Sequence, residues 1–219
     1  MSLNKKTLSF IKRMYPSVDK TVFKPFITVS REAGSGGRPI ARLLAKELGF
    51  DFYDEHLVDL TAGKLKKRRE LVASLDEQQQ GIMQGIIALL TDTGLSKDKY
   101  IHGLCEVIVS LAQKGNCVIL GRGANFITPF GEGLHVRVIA PFLTRVGYTA
   151  SYEGYSKYEA NQRVRHFDRE RKEFIKRYFS KNPSNTNYYD LTINTAYFNI
   201  EQAVKVILKA YKRKFKKRK

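Results

Sequence analysis

Apolar residues in this chain fall into two registers. Short unbroken runs, Phe26-Ile27-Thr28-Val29, Cys117-Val118-Ile119-Leu120 and His135-Val136-Arg137-Val138-Ile139-Ala140, predict strands of a parallel sheet, the first buried on both faces. Elsewhere apolar positions keep helical spacing: Ile40, Leu43, Leu44 and Leu48 predict a helix that Gly49 stops. Phe50 to Asp54 predicts a short second strand ending in two acids, Asp54 and Glu55, and Tyr189 to Asn194 predicts the last strand. Residues 56–114 carry no strand pattern and predict three helices, Leu57–Leu65, Glu70–Thr91 and Lys97–Lys114. Two more helices are predicted, Ser156–Phe179 and Ile200–Lys212, with a loosely attached N-terminal helix around Leu8 to Ile11. The small polar run 181–187 predicts a hinge or flap.

The fold class that follows is α/β, a parallel sheet flanked by helices. Its expected organisation is an N-terminal extension (1–24), a core (25–55 and 115–219) with a lid over about 156–187, and a helical insert (56–114) covering a substrate. In open sheets of this kind ligands gather beyond the carboxyl ends of the strands. By that rule Gly34–Arg38, Asp54, Arg122 and the segment Ala140–Arg145 crowd one crevice.

The turn between the first strand and its helix, Gly34-Ser35-Gly36-Gly37, is built like an anion site. Backbone amides converge there, the helix dipole turns its positive end toward it, and glycine lets a phosphate approach the backbone. It is not a complete phosphate-binding loop of the form G-x-x-x-x-G-K-[ST]. Aligned on the glycines, Gly37 stands at the lysine and Pro39 at the magnesium-binding hydroxyl, while Arg31 and Arg38 flank the turn and would supply the missing charge.

Charge widens the range of partners. The chain of 219 residues has a formal net charge of +18, and its last nine residues, YKRKFKKRK, carry seven Lys or Arg. The remaining +11 is distributed over the rest, so phosphorylated ligands, nucleic acid and acidic surfaces all suit it electrostatically. No apolar run reaches membrane-spanning length, MSLNKKTLSF is not a signal peptide, and no membrane association is expected. Cys105 and Cys117 lack partners at metal-ligand spacing and read as reduced core thiols of a cytoplasmic protein; no residue is assigned to a metal. His56, His102, His135 and His166 read as surface or packing residues. The helix from Ser156 is rich in cations, and Asp168 and Arg171 form an i,i+3 pair on one of its faces.

Four segments in order resemble the cytidylate kinase-like family of nucleoside monophosphate kinase-fold proteins: ITVSREAGSGGRPIARLLAKELGFDFYDEHLV, VILGRGANFI, VRHFDRERKEFIKRYF and YYDLTINTAYFNIEQAVKVI. The resemblance implies a P-loop NTPase fold with a core sheet, a helical monophosphate-binding insert and an arginine-bearing lid. It implies ATP and Mg2+ as cofactors and transfer of the γ-phosphoryl group to a nucleoside monophosphate or similar small acceptor. By matched position, Gly34, Ser35, Gly36 and Gly37 would cradle phosphate, helped by Arg38. Arg122 would reach the acceptor phosphate, and Asp54 would open the acceptor-binding segment. Arg165, Asp168 and Arg171 would form the lid cluster, its arginines facing the transferring group, with Arg31 and Arg38 in the lysine's catalytic role. Gly123 stands where cytidylate kinases carry an aspartate, so cytosine selectivity is not implied; magnesium is left to Ser30, Ser35 or an acid acting through water. Two other readings stay open: a non-catalytic protein that binds a nucleotide or phosphorylated metabolite through a degenerate loop, and a nucleic-acid-binding protein.

Overall fold

Five strands, β1 (Phe26–Arg31), β2 (Asp51–Tyr53), β3 (Cys117–Leu120), β4 (Gly133–Ile139) and β5 (Leu191–Asn194), pair in parallel in the order β2-β3-β1-β4-β5. The computed structural model describes residues 24–92, 98–129 and 131–215. The expected N-terminal helix and the last four residues of the basic tail lie outside them. β1 takes the centre because its first four residues are buried, as an interior strand requires. In register, Val29 lies opposite Leu120 on one side and Val136 on the other. The chain leaves β1 for one side of the sheet and later returns to the other, so the crevice at the carboxyl end of β1 is a topological switch point.

Helices cover both faces. Ile27, Val29, Val118 and Leu120 pack against α1 (Gly37–Leu48) and α9 (Ile200–Phe215), through Ile40, Leu44, Val204 and Ile207 among others. Alternate residues Phe26, Cys117 and Ile119 turn to the other face and meet α5 (Lys99–Lys114), α6 (Ala124–Ile127) and the end of α8 (Lys157–Phe179). The helices between β2 and β3 share this second core: Val58, Ile82, Ile86 and Leu104 belong to the same cluster as Phe26 and Phe179. α7 (Phe142–Glu153) and α8 pack on each other and on Ala33 of the glycine turn through Val146, Ala160 and Val164. No helix among the described residues is long and apolar enough to cross a membrane.

Several boundaries depart from the expected ones, each for a local reason. β2 stops at Tyr53 because the Asp54 side chain accepts from the Leu57 amide at 3.0 Å and caps α2 (Glu55–Gly63), so Glu55 is helical. The single helix expected over Glu70–Thr91 is two, α3 (Leu65–Ala73) and α4 (Glu77–Asp92). The break is a reciprocal cap: Asp76 accepts from the Gln79 amide at 2.8 Å, and the Gln79 side chain accepts from the Asp76 amide at 3.1 Å. β5 starts at Leu191, since Tyr189 turns inward and donates its hydroxyl to the Pro183 carbonyl at 2.8 Å. α9 continues past Lys212 to Phe215, held by Lys214, whose ammonium donates to the Gly133 carbonyl and to Asp190 at 2.6 and 2.7 Å.

His135 is a packing residue inside β4, fully buried, with Nδ1 2.7 Å from the Thr28 hydroxyl and its ring edge-on to Phe26. Burial pulls its pKa from 6.5 down to about 4, against the opposing pull of Asp190. The unfolded chain therefore takes up a proton near pH 6.5 that the folded chain refuses until about pH 4, so stability falls as pH falls through that window. Urea unfolding at pH 7 and pH 5 should differ by about 2 kcal/mol from this group. A flat profile between those two pH values would contradict the assignment.

Candidate active site

The glycine turn is shaped by its backbone. Gly34 and Gly36 have φ of +73° and +78°, the left-handed region that glycine enters freely. A side chain at Gly34 would also meet the Arg145 carbonyl and the Thr149 hydroxyl of α7, each at 2.6 Å. Ser35 points inward and is fully buried, its hydroxyl shared between the Glu32 and Val138 carbonyls at 2.9 and 3.2 Å. Its amide donates to the Glu32 carbonyl at 3.4 Å and its carbonyl accepts from the Thr195 hydroxyl at 2.9 Å, so Ser35 holds the turn's shape. Gly36 is the N-cap of α1 and no side chain caps that end; among the described residues no acceptor is bonded to the amides of Gly36, Gly37 or Arg38. In the register G-x-x-x-x-G-K-[ST], Arg31 falls on the first glycine, Gly36 on the second and Gly37 on the lysine. The residue immediately after Gly37 is Arg38, so the hydroxyl position belongs to Arg38, and its assignment to Pro39 is corrected.

Beyond the turn opens a cleft of about 1020 Å³, bounded by the end of β1, residues 121–125, α8 and the 183–184 loop. Among the arginines that line it, Arg31, Arg38, Arg122 and Arg171 come from four places in the chain and lie close enough to act on one another's charge. Arg31 is ion-paired with Glu55, and Arg38 reaches Asp54 and Glu55 at 3.0 and 3.3 Å. Arg122 is gripped by Asp59 through bonds of 2.6, 2.8 and 3.0 Å; Tyr100 donates to the same carboxylate at 2.8 Å, and Phe174 lies under the guanidinium.

Arg171 is different. Its Nη1 is buried and, among the described residues, has no hydrogen-bond partner.

Crowding sets the proton affinities. Burial and then the Arg171 charge push Arg31 down to about 9, with Glu55 opposing. Arg171 is lowered by burial and by Arg38 and Arg122, although Glu55 and Asp168 pull the other way. Burial also works against Arg122, but its bonds to Asp59 outweigh that and raise it. Asp54, Glu55 and Asp59 pair with Arg31, Arg38 and Arg122, while Arg171 has the attraction of Glu55 and Asp168 but, among the described residues, no hydrogen bond at Nη1.

The other expected site residues sit as follows. Asp54 caps α2 and holds Arg38. Asp168 accepts from the Ala33 amide at 2.8 Å and from Arg145 at 2.5 Å; among the described residues it is not ion-paired with Arg171, because it turns to the buried Arg145. Arg165 is exposed and does not line the cleft: it bonds Asn161 at 2.9 Å and covers Phe142. The reading of Arg165 as facing the transferring group is corrected on that ground. His166 is also exposed, beside Glu170. Cys105 and Cys117 are free and buried, and burial pushes both thiols up to about 12.

Four residues went unassigned by sequence reasoning. Glu55 and Asp59 are four apart on a helix whose start Asp54 announces, which places them on one face. Arg137 and Arg145 are buried, and both pair with Glu32 at 3.4 Å. An arginine inside the apolar run of β4 was the available sign of the first.

Comparison with known proteins places this geometry. The fold is similar to that of an uncharacterized protein from Eubacterium ventriosum, with a TM-score of 0.59 and 20% identity over 86% of this chain and 98% of that one. A shikimate kinase from Bacteroides thetaiotaomicron gives a TM-score of 0.46 at 14% identity, over 86% of this chain and 98% of the other. In sequence, 99 residues are 35% identical to the uronate isomerase of Corynebacterium glutamicum, covering 45% of this chain. The chain spans about a fifth of that relative's length, 19%. The model of the cytidylate kinase-like family matches residues 26–197, from the first residue of β1 to the loop before α9. That match supports a kinase-type phosphotransferase and leaves its substrate open. The chain belongs to the cytidylate kinase-like family.

Proposed function

We propose that this protein is an ATP- and magnesium-dependent phosphotransferase that moves the γ-phosphoryl group to a nucleoside monophosphate or a similar small acceptor. The observation that carries the reading is the unpartnered, buried Nη1 of Arg171 in a cleft already crowded with arginines. A buried donor without an acceptor is costly unless a ligand completes it. Phosphoryl transfer asks a protein mainly for positioning and for stabilisation of charge on the transferring group, which amides and guanidinium forks supply. The unbonded amides at the start of α1 would hold the donor's phosphates, with Arg31, Arg38 and Arg171 around the transferring group. Arg122 lies beside Asp59 at the acceptor end.

The residues present fit the magnesium nucleotide. No group of three metal-ligating side chains occurs among the described residues, and magnesium in kinases needs none, being held by phosphates, waters and one or two carboxylates. Glu55, Glu32 and Asp168 are acids that line the cleft, and one of them would hold the ion, which would offset negative charge on the phosphates. A second reading, a protein that binds nucleotide without transferring phosphate, is favoured by glycine at the lysine position. Incubation with ATP, magnesium and each of a panel of small acceptors, reading ADP release, separates them. Acceptor-dependent ADP is expected; ATP binding with none would favour the second reading.

A further inference from the structure

Gly37 has no conformational reason to be glycine. It is the first residue of α1 and does not have a positive φ, unlike its neighbours Gly34 and Gly36. Its reason is steric: a Cβ there would stand 2.5 Å from Cβ and 2.9 Å from Cγ of Arg31. The stem of Arg31 fills the space from which a side chain at position 37 would start. The far end of the same arginine lies against Gly121, just after β3, which is glycine for its own reason, a φ of +85°. Gly37 at the start of α1 thus leaves room for the stem of one arginine, which runs from β1 into the cleft and there meets Glu55.

In a complete loop the first position is glycine and the seventh is lysine. Here the first is arginine and the seventh is glycine. We propose that Arg31 and Gly37 are a reciprocal exchange of the loop's glycine and lysine, in which Arg31 supplies the cation for the donor's β- and γ-phosphates from the strand side. This rests on the kinase reading of the same site. Arginine brings a planar fork of donors that binds phosphate bidentately, where lysine brings a point charge. Glu55, which also holds Arg38, takes the acceptor role in the unliganded chain, and phosphate oxygens would take it over. The crowding of Arg31 by Arg171 and Arg38 agrees with a group placed to receive an anion.

The steric half is tested by a stability cycle. Gly37→Ala should lower Tm by about 3–8 °C in the native chain and by much less in an Arg31→Gly background. Equal losses in both would overturn the pairing. The functional half is tested by calorimetric titration with ATP and with AMP, each with magnesium. Arg31→Gln keeps most of the stem and loses the charge, so it should weaken ATP binding about 10–100-fold and leave AMP nearly unchanged. The double variant Arg31→Gly/Gly37→Lys, confirmed folded by its melting curve, should bind ATP about tenfold better than Arg31→Gly alone. If the double variant does not fold, Arg31→Lys replaces it and should bind ATP better than Arg31→Gln. A native chain that binds ATP, with Arg31→Gln binding it equally well, overturns the exchange and leaves the kinase reading standing. A native chain that binds no ATP overturns both.

Discussion

Replacing Arg171 by methionine should slow phosphate transfer about 10²–10³-fold and leave the protein as stable as its parent or more so. The two halves of that result come from one feature. Arg171 lies in the cleft with Nη1 buried and, among the described residues, unpartnered, near Arg31, Arg38 and Arg122, and both burial and like charge press on it. Methionine keeps an apolar stem of similar length and removes a guanidinium that the unliganded fold meets only in part, through the Phe167 ring and the attraction of Glu55 and Asp168. The expected gain is about 1 kcal/mol in urea unfolding. A residue retained for packing would show the opposite pattern, a lower unfolding midpoint with transfer following the fraction folded. That pattern would contradict the role given to Arg171.

Asp168→Ala should cost about 3 kcal/mol of stability, a drop in Tm of about 6–12 °C for a chain of this size. Asp168 is the point at which α8 is fastened to the glycine turn: one oxygen accepts from the Ala33 amide and the other from Arg145. Arg145 is only 7% exposed and also donates to the Ala33 and Ala140 carbonyls, so it is trapped when its carboxylate is removed. Glu32 at 3.4 Å compensates in part, which keeps the loss near the lower end for a broken buried pair. Asp168→Asn retains an acceptor for the Ala33 amide and should fall between the two. A loss below about 1 kcal/mol for alanine would show that the fastening is weaker than its geometry.

Much of this architecture was legible in the residues. β1, β3 and β4 are short apolar runs ended by special positions, and α1 and α8 carry their start and stop signals in the open: Gly36 and Gly49 for one, the Ser156–Glu159 capping box for the other. The break between α3 and α4 was written in Asp76 and Gln79, but the apolar positions on either side keep helical phase and hide it.

The site was harder to read because charge says little about burial. Arg145 looks like a surface cation in the sequence, and only its place inside an apolar run marks Arg137; both are buried on Glu32. On the lid helix the difficulty is one of phase. Arg165 and Arg171 are six residues apart, so at about 100° per residue they point about 120° away from each other and do not share a target. The structure lines the cleft with Arg171 and leaves Arg165 over Phe142. Arg31 was recognisable as a flanking cation, but the dependence of Gly37 on its stem is a relation between a strand end and a helix start, visible only in three dimensions.

The most direct test of the central claim is the fate of the γ-phosphorus of ATP, followed by phosphorus NMR with magnesium and a panel of small acceptors. A phosphotransferase makes the γ signal disappear only when an acceptor is present, and an equal new phosphoryl resonance should grow on that acceptor as ADP forms. ATP that binds and stays intact with every acceptor, or that yields only inorganic phosphate, would contradict it.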